Sequence, residues 1–333
     1  MTPSLVARVA ALSILLLACL LWFAGWREAR QTRLQDKPVC AWAFASIGPH
    51  PQERQSATEV LRAAGERALP DLIRMVRTPD PPLTPLLRLA QGRLPEFLVR
   101  HLRSRVRPAD ASAARMAGAH ALGLLGPQAD AAVPALAHLF THGSPAERWT
   151  AATALGRIAT PSAVRVCTEA LLSTNHAHHH PAVYALGQMG SAAAEAAPLL
   201  VQTLGHPEAA VRASAADALG RVSHEPSRLL LAAAQTGPLT ARQEATQALT
   251  RNPPPPRAGV APLLELLHDP DPSIRRHAAQ TLKLMASHQP RVQEALDRLQ
   301  SDPDPTVRQV VSPVHAGPKI TPPPSPATPL ETR

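Results

Sequence analysis

Aromatic residues are scarce in this sequence. Four Trp, four Phe and one Tyr make up 3% of 333 residues. Sheet-based cores draw on aromatic and β-branched side chains, so an all-β sandwich or barrel is disfavoured. Cysteine is scarcer still. Cys19, Cys40 and Cys167 stand far apart and in no metal-type spacing, which argues against a disulfide framework and a cysteine-based zinc site. No G-x-S-x-G, P-loop or H-E-x-x-H occurs, so the short signatures of serine hydrolases, phosphate-cradling loops and zinc proteases are missing.

What is present is aliphatic. Apolar residues reach 45%, and the core must be built mostly from Ala, Leu and Val. Small aliphatic side chains suit closely packed helices. The 37 prolines must then fall at helix starts, in turns and in tails, where no intrahelical donor is lost. The net charge of +9 favours a nucleic acid, anionic lipid or acidic partner without choosing among them.

The two ends read differently from the middle. Val9 to Trp26 is an uncharged run of 18 residues, long enough to span a hydrocarbon core of about 30 Å. Trp22 and Trp26 stand at its C-terminal end, where interfacial aromatics are expected. Arg27, Arg30 and Arg33 follow at once. A retained single-pass anchor is the favoured reading. A cleaved signal is the first alternative, and a lipoprotein, from Leu16-Leu17-Ala18-Cys19, the second. The basic flank favours a cytoplasmic body and an export-type reading a periplasmic one, so the side stays open. At the far end, residues 312–333 are Pro-rich and nearly devoid of apolar side chains, which predicts an extended or disordered tail.

Internal periodicity is the strongest signal between those ends. MAGAHALGLLG (116–126), WTAATALGRIA (149–159), PAVYALGQMG (181–190) and ASAADALGRVS (213–223) each contain Ala-Leu-Gly. The leucines are Leu122, Leu155, Leu186 and Leu219, with weaker copies at Leu249 and Leu282, in steps of 33, 31, 33, 30 and 33 residues. Seven residues before each leucine stand Arg115, Arg148, His179, Arg212, Arg242 and Arg275, and the same period continues to Arg308. Only the third copy departs from arginine. The unit reads as two helices. The first ends near the Ala-Leu-Gly glycine, and the second starts near Pro134, Pro198 or Pro262. Asp271, Asp304 and Glu208 lie four residues before Arg275, Arg308 and Arg212. The arginines therefore read as a structural ladder that hydrogen-bonds the acidic turns.

The pattern D-P-x-x-x-V-R-x-x-A-A-x-A-L-G followed by A-x-P-x-L resembles the HEAT repeat in the short form found in phycobilisome lyases. HPEAAVRASAADALG (206–220) and DPDPSIRRHAAQTL (269–282) carry it best. The resemblance implies an all-α fold, a right-handed α-solenoid of stacked helical hairpins (HEAT-like or armadillo-like), here preceded by one N-terminal transmembrane helix. The expected layout is a flank (1–8), the anchor or signal (9–26), a juxtamembrane linker (27–56), a diverged first repeat (57–82), a basic helical insertion (83–111), the repeats (112–311) and the Pro-rich tail (312–333).

Function is read from the same residues. HEAT-type stacks usually present their second helices on a concave surface that binds proteins, and His138, Gln202 and Glu265 take comparable outward positions there. The expectation is a non-catalytic scaffold with an unidentified protein partner, no cofactor and a membrane contact through residues 9–26. Its alternative is a phycobilin-lyase-like or metal-dependent enzyme using the same groove. Iron-dependent deoxyhypusine hydroxylases, another branch, carry His-Glu pairs inside repeat helices. The one such pair here, His224-Glu225, falls in a turn, so that activity is not expected. Nucleic acid is not the expected partner either, because only Trp42 and Trp149 lie outside the anchor. Arg100, Arg103 and Arg107 share one face of a basic helix and read mainly as a solvated surface, with phosphates or lipid head groups as the other possibility. His176, His178, His179 and His180 form a cluster dense enough to bind metal adventitiously. Adjacent side chains on a turn diverge, so the cluster reads as a solvated turn and no built metal site is expected.

Overall fold

A computed structural model describes residues 32–80 and 108–312. The expected anchor at 9–26, the basic helix with Arg100, Arg103 and Arg107, and the tail from residue 313 on lie outside the described residues. Among the described residues no helix is long and apolar enough to cross a membrane.

Proline sets the helix starts. It occupies the first turn of most of them, where its missing N–H costs nothing. A two-stranded antiparallel hairpin, β1 (Arg33–Leu34) and β2 (Lys37–Pro38), opens the described chain and turns through Gln35 and Asp36, both at positive φ. Then follow α1 (Val39–Ala45), α2 (Pro51–Ala64), α3 (Leu69–Val76), α4 (Pro108–Leu125), α5 (Val133–His142), α6 (Pro145–Ile158), α7 (Pro161–Leu172), α8 (His179–Met189), α9 (Ala197–Thr203) and α10 (Ala209–Val222). α11 (Pro226–Thr236), α12 (Leu239–Arg251), α13 (Pro256–Leu266), α14 (Pro272–Ala286), α15 (Pro290–Arg298) and α16 (Pro305–Val311) complete it. The described chain divides into two compact units, one up to Pro226 and one from Ser227 on.

In the first unit the first helices of successive hairpins, α4, α6, α8 and α10, pack one on the next, while α5, α7 and α9 each pack on the first helix that follows them. In the second unit α12, α14 and α16 stack in the same manner, and α13 and α15 both pack against α14. The marker leucines, Leu122, Leu155, Leu186, Leu219, Leu249 and Leu282, are all fully buried.

The Ala-Leu-Gly motif explains the close stacking. A Cβ on Gly123 would stand 3.0 Å from Ala154 Cα, one on Gly156 3.2 Å from the Ala185 carbonyl oxygen, and one on Gly187 3.3 Å from Ala218 Cα. Ala154, Ala185 and Ala218 are themselves the alanines of the next Ala-Leu-Gly. Each of the first three motifs thus places its glycine on its successor's alanine, with the leucine between them turned into the core. These glycines are interior helical residues and do not end the helices as the sequence suggests. Termination falls three residues later, at Gly126 (φ 62°), Ala159 (φ 51°) and Gly190 (φ 57°). Close helix approach demands the glycine here, whereas the left-handed cap lies one turn further on.

Two further expectations shift. Pro262 does not open a second helix. α13 starts at Pro256, after a run of prolines, and carries Pro262 inside it. Residues 32–56 of the stretch expected as a linker are structured. Trp42 Nε1 donates to the Leu34 carbonyl at 2.9 Å, the Thr32 N–H donates to Asp71 Oδ2 at 2.7 Å, and the diverged first hairpin begins at Pro51. Its single buried Trp supplied too little periodicity to be seen in the sequence.

Gly156→Val tests the interlock. The new side chain would meet Gln188 Cβ as well as Ala185. Overpacking of this kind costs about 1–3 kcal/mol, and valine gains little helix propensity to offset it. Urea unfolding should show that loss. An unchanged midpoint would mean that the helices are free to move apart at this crossing.

Candidate functional site

Four arginines of the ladder, Arg148, Arg212, Arg275 and Arg308, leave the first turn of a first helix and reach back to the turn before it. Arg212 Nη1 donates to the carbonyls of His206 and Pro207, both at 2.9 Å. Arg275 Nη1 donates to those of Asp269 and Pro270 at 2.9 and 3.0 Å, and Arg308 Nη1 to those of Asp302 and Pro303 at 2.6 and 2.8 Å. The acceptors stand six and five residues upstream in every case. Arg148 keeps a variant of the contact, with the carbonyls of Phe140 and Gly143 as acceptors. A turn that precedes a helix exposes carbonyls with no helical partner, and a guanidinium has enough donors to take two of them at once.

At Arg115, Arg242 and Arg275 the guanidinium reaches forward to the next repeat. Arg275 grips both oxygens of Asp302 at 2.9 Å, and Arg242 Nη1 meets Asp269 Oδ2 at 2.6 Å. Each carboxylate stands 27 residues beyond its arginine. Arg115 pairs with Glu147 at 2.6 Å and Asp80 at 2.8 Å, and also donates to the Thr78 carbonyl. Arg275 is thus paired with Asp302 and not, as spacing alone suggests, with Asp271 one turn upstream. Asp271 instead caps α14 by accepting from the Ser273 and Ile274 N–H groups, and Asp304 accepts from the Thr306 N–H at the start of α16. In D-P-D-P the first aspartate serves the neighbouring repeat and the second caps its own helix.

These contacts shift the titrations. The Arg275 guanidinium holds the Asp302 carboxyl below its ordinary value, and Asp302 raises Arg275 in return. Burial alone would raise Glu147, but the Ser144 N–H and Arg115 outweigh it and the net shift is downward. Burial alone would lower Arg115, yet its bonds to Glu147 and Asp80 raise it.

The histidine cluster is not a solvated turn. His178 and His179 are buried, at 7% and 6% exposure. His178 lies against the Phe140 ring, with its Nε2 3.1 Å from Asn175 Nδ2. His180 Nε2 stands 2.9 Å from Ser214 Oγ, and its ring meets Trp149 edge-on. His179 takes the ladder position. Its Nε2 stands 2.8 Å from the Ser173 carbonyl oxygen, six residues upstream, and its Nδ1 2.9 Å from His206 Nε2, 27 residues downstream. Both offsets are those of the arginines. His176 packs against both rings, at centroid distances of 4.9 and 5.5 Å.

The proposed contact residues lie on second helices. His138, on α5, is exposed, stacks on His142 at 4.5 Å, and lines an open cavity of about 700 Å³ with Val76, Asp80, Arg115 and Glu147. Gln202, on α9, is exposed. Glu265, on α13 of the second unit, accepts from Gln235 Nε2 at 3.0 Å. Cys167 is fully buried, with its thiol pushed up to about 12, so it is chemically inert.

The pattern of HEAT repeats matches residues 99–178, 168–250 and 227–312, more than half of the chain. The chain belongs to the HEAT-repeat family. Among curated proteins none matches the sequence. Solved HEAT-like structures that are similar include the complex of CpcE and CpcF of phycocyanin lyase from Nostoc, at 19% identity, with 80% of this chain and 94% of that chain covered and a TM-score of 0.35. Human deoxyhypusine hydroxylase has 19% identity, 82% and 93% coverage and a TM-score of 0.30. YibA of Escherichia coli has 15% identity, 81% and 90% coverage and a TM-score of 0.36. Likenesses this distant carry no argument about the activity of the present HEAT chain.

Sequence reasoning missed His206. Its signal was present, since 27 residues separate His179 from His206 just as they separate Arg242 from Asp269 and Arg275 from Asp302. The offset carries meaning only beside the forward contacts of Arg242 and Arg275, which the sequence does not show.

Acid tests the Arg275–Asp302 rung. The Asp302 pKa is lowered on folding, so its contribution is fully present above the ordinary carboxyl value of 3.8 and is lost as pH falls through the folded value. Asp302→Asn should destabilise the protein at pH 7 by about 1–3 kcal/mol. Urea titrations should show the gap between mutant and wild type unchanged at pH 5 and shrinking below pH 4. A gap that persists in strong acid would show that the carboxylate charge is not what holds the rung.

Proposed function

We propose that this HEAT chain is a non-catalytic scaffold that binds a protein partner through its second helices and is held at a membrane by residues 9–26. The observation that supports the partner site is the cavity beside His138. Val76, Ala135 and Leu139 give it an apolar floor, while Asp80, Arg115 and Glu147 give it a charged rim. A polypeptide segment, with apolar side chains and backbone polar groups in alternation, matches such a lining. The charged rim is already occupied by the ladder, because Arg115 joins Asp80 and Glu147. Binding therefore falls on a surface that the fold itself holds rigid, which keeps the ordering cost of association small. The membrane role rests on the 18-residue apolar run and its Trp and Arg flank.

A photocrosslinking amino acid in place of His138 tests the reading in native membranes. The same probe in place of Arg157, exposed on the first helix α6, is the control. Discrete protein adducts from position 138, and none from 157, are expected. Adducts from 157 alone, or from neither, would overturn the second-helix surface. A tightly bound tetrapyrrole, visible as absorbance of the purified protein, would instead favour a lyase-like enzyme.

A further inference from the structure

The histidine rung differs from every arginine rung in its charge. Where Arg242 and Arg275 bring a cation to an aspartate, His179 meets a second imidazole. Three imidazoles converge here, since one ring nitrogen from each of His176, His179 and His206 lies within 4.8 Å of the others. His176 is exposed, His206 half-buried and His179 buried. The three come from two separate turns, one entering α8 and one entering α10, so they meet because the repeats stack and not because they are neighbours in sequence.

We propose that His176, His179 and His206 bind one divalent transition-metal ion, of the zinc class, that joins these two turns. Neutral imidazole is a favoured ligand of zinc, and tetrahedral Zn–N bonds of about 2.0–2.1 Å place ligand nitrogens about 3.3 Å apart. The His179–His206 contact of 2.9 Å needs to open by only a few tenths of an ångström. His179 is already oriented as a ligand. Its Nε2–H is directed at the Ser173 carbonyl, which leaves the Nδ1 lone pair facing the other rings. A backbone carbonyl in this position fixes tautomer and ring orientation in metal-binding histidines.

His206 must change more. Its Nδ1 accepts from the Glu208 N–H at 3.1 Å, so without metal its proton sits on Nε2 and is shared with His179. Coordination through Nε2 moves that proton to Nδ1, with no net loss from the ring. There it replaces the contact with the Glu208 N–H, and the Glu208 carboxylate, whose charge acts on His206, is the group able to accept the hydrogen bond of the new Nδ1–H. Arg212 meanwhile holds the His206 and Pro207 carbonyls and keeps this turn in place through the change. The ion supplies the positive charge that an arginine supplies elsewhere, with water completing the coordination.

Calorimetric titration of zinc into the chelator-stripped full chain in detergent tests the site. One equivalent should bind, and the first thermal transition should rise. His176→Ala removes an exposed side chain, so the fold survives, and it should weaken binding at least 10-fold. His206→Ala should do the same, although it lies outside the histidine-dense turn. Alanine at both His178 and His180 should leave affinity unchanged. Zinc affinity lost in that double variant but kept in His206→Ala would show adventitious binding by the turn and overturn the proposal. An absence of stoichiometric binding to the wild-type chain would overturn it as well. None of these outcomes depends on the partner site beside His138.

Discussion

The contact on which the stacking depends is a guanidinium held between two turns. Inward of it, the first helices touch through glycine and alanine, and their leucines make a thin aliphatic core. A core of that kind is slippery. Small side chains allow close approach but specify register weakly. The arginine at the start of each first helix adds direction. At Arg212, Arg275 and Arg308 it fastens the turn that leads into its own helix, and at Arg242 and Arg275 it reaches a carboxylate 27 residues ahead. Partly buried, charge-assisted contacts are strong enough to matter and directional enough to fix one repeat on the next.

The two repeated devices therefore divide the work. Ala-Leu-Gly sets how near successive helices stand, since the glycine of one motif meets the alanine of the next. The ladder sets how they are rotated and where each turn lies. Loss of either is felt chiefly by nearest neighbours, which is the behaviour of a quasi-one-dimensional array. The same economy leaves outer positions of the second helices open to solvent, with His138 and Gln202 exposed in the first unit. It also explains how one rung can change chemistry. His179 keeps the backward carbonyl and the forward partner of an arginine while replacing the ion pair by imidazoles.

Much of this was legible in the sequence because period and residue type coincide. The leucines mark the core, and all six are buried. The arginines keep one register through Arg308. What could not be read was the partner of each rung. Asp271 and Asp304 stand at the helical i−4 spacing from an arginine, yet backbone N–H groups at the helix start take them first. The glycine of Ala-Leu-Gly looked like a terminator because glycine serves both ends and crossings, and only the packing distinguishes them. The histidine cluster read as diverging side chains because its third member, His206, comes from another turn. The ordered hairpin and helix ahead of Pro51 have no repeat to reveal them.

The most direct test of this account is a double-mutant cycle at Arg242 and Asp269, read by urea unfolding of wild type, Arg242→Ala, Asp269→Ala and the double mutant. The two residues lie in successive repeats and meet at 2.6 Å with both side chains largely buried. If the rung couples neighbouring repeats, the cycle should yield an interaction energy of about 1–2 kcal/mol, within the range for residues in direct contact. Additive single effects, with no interaction energy beyond error, would contradict it and leave apolar packing between the first helices as what holds the stack there.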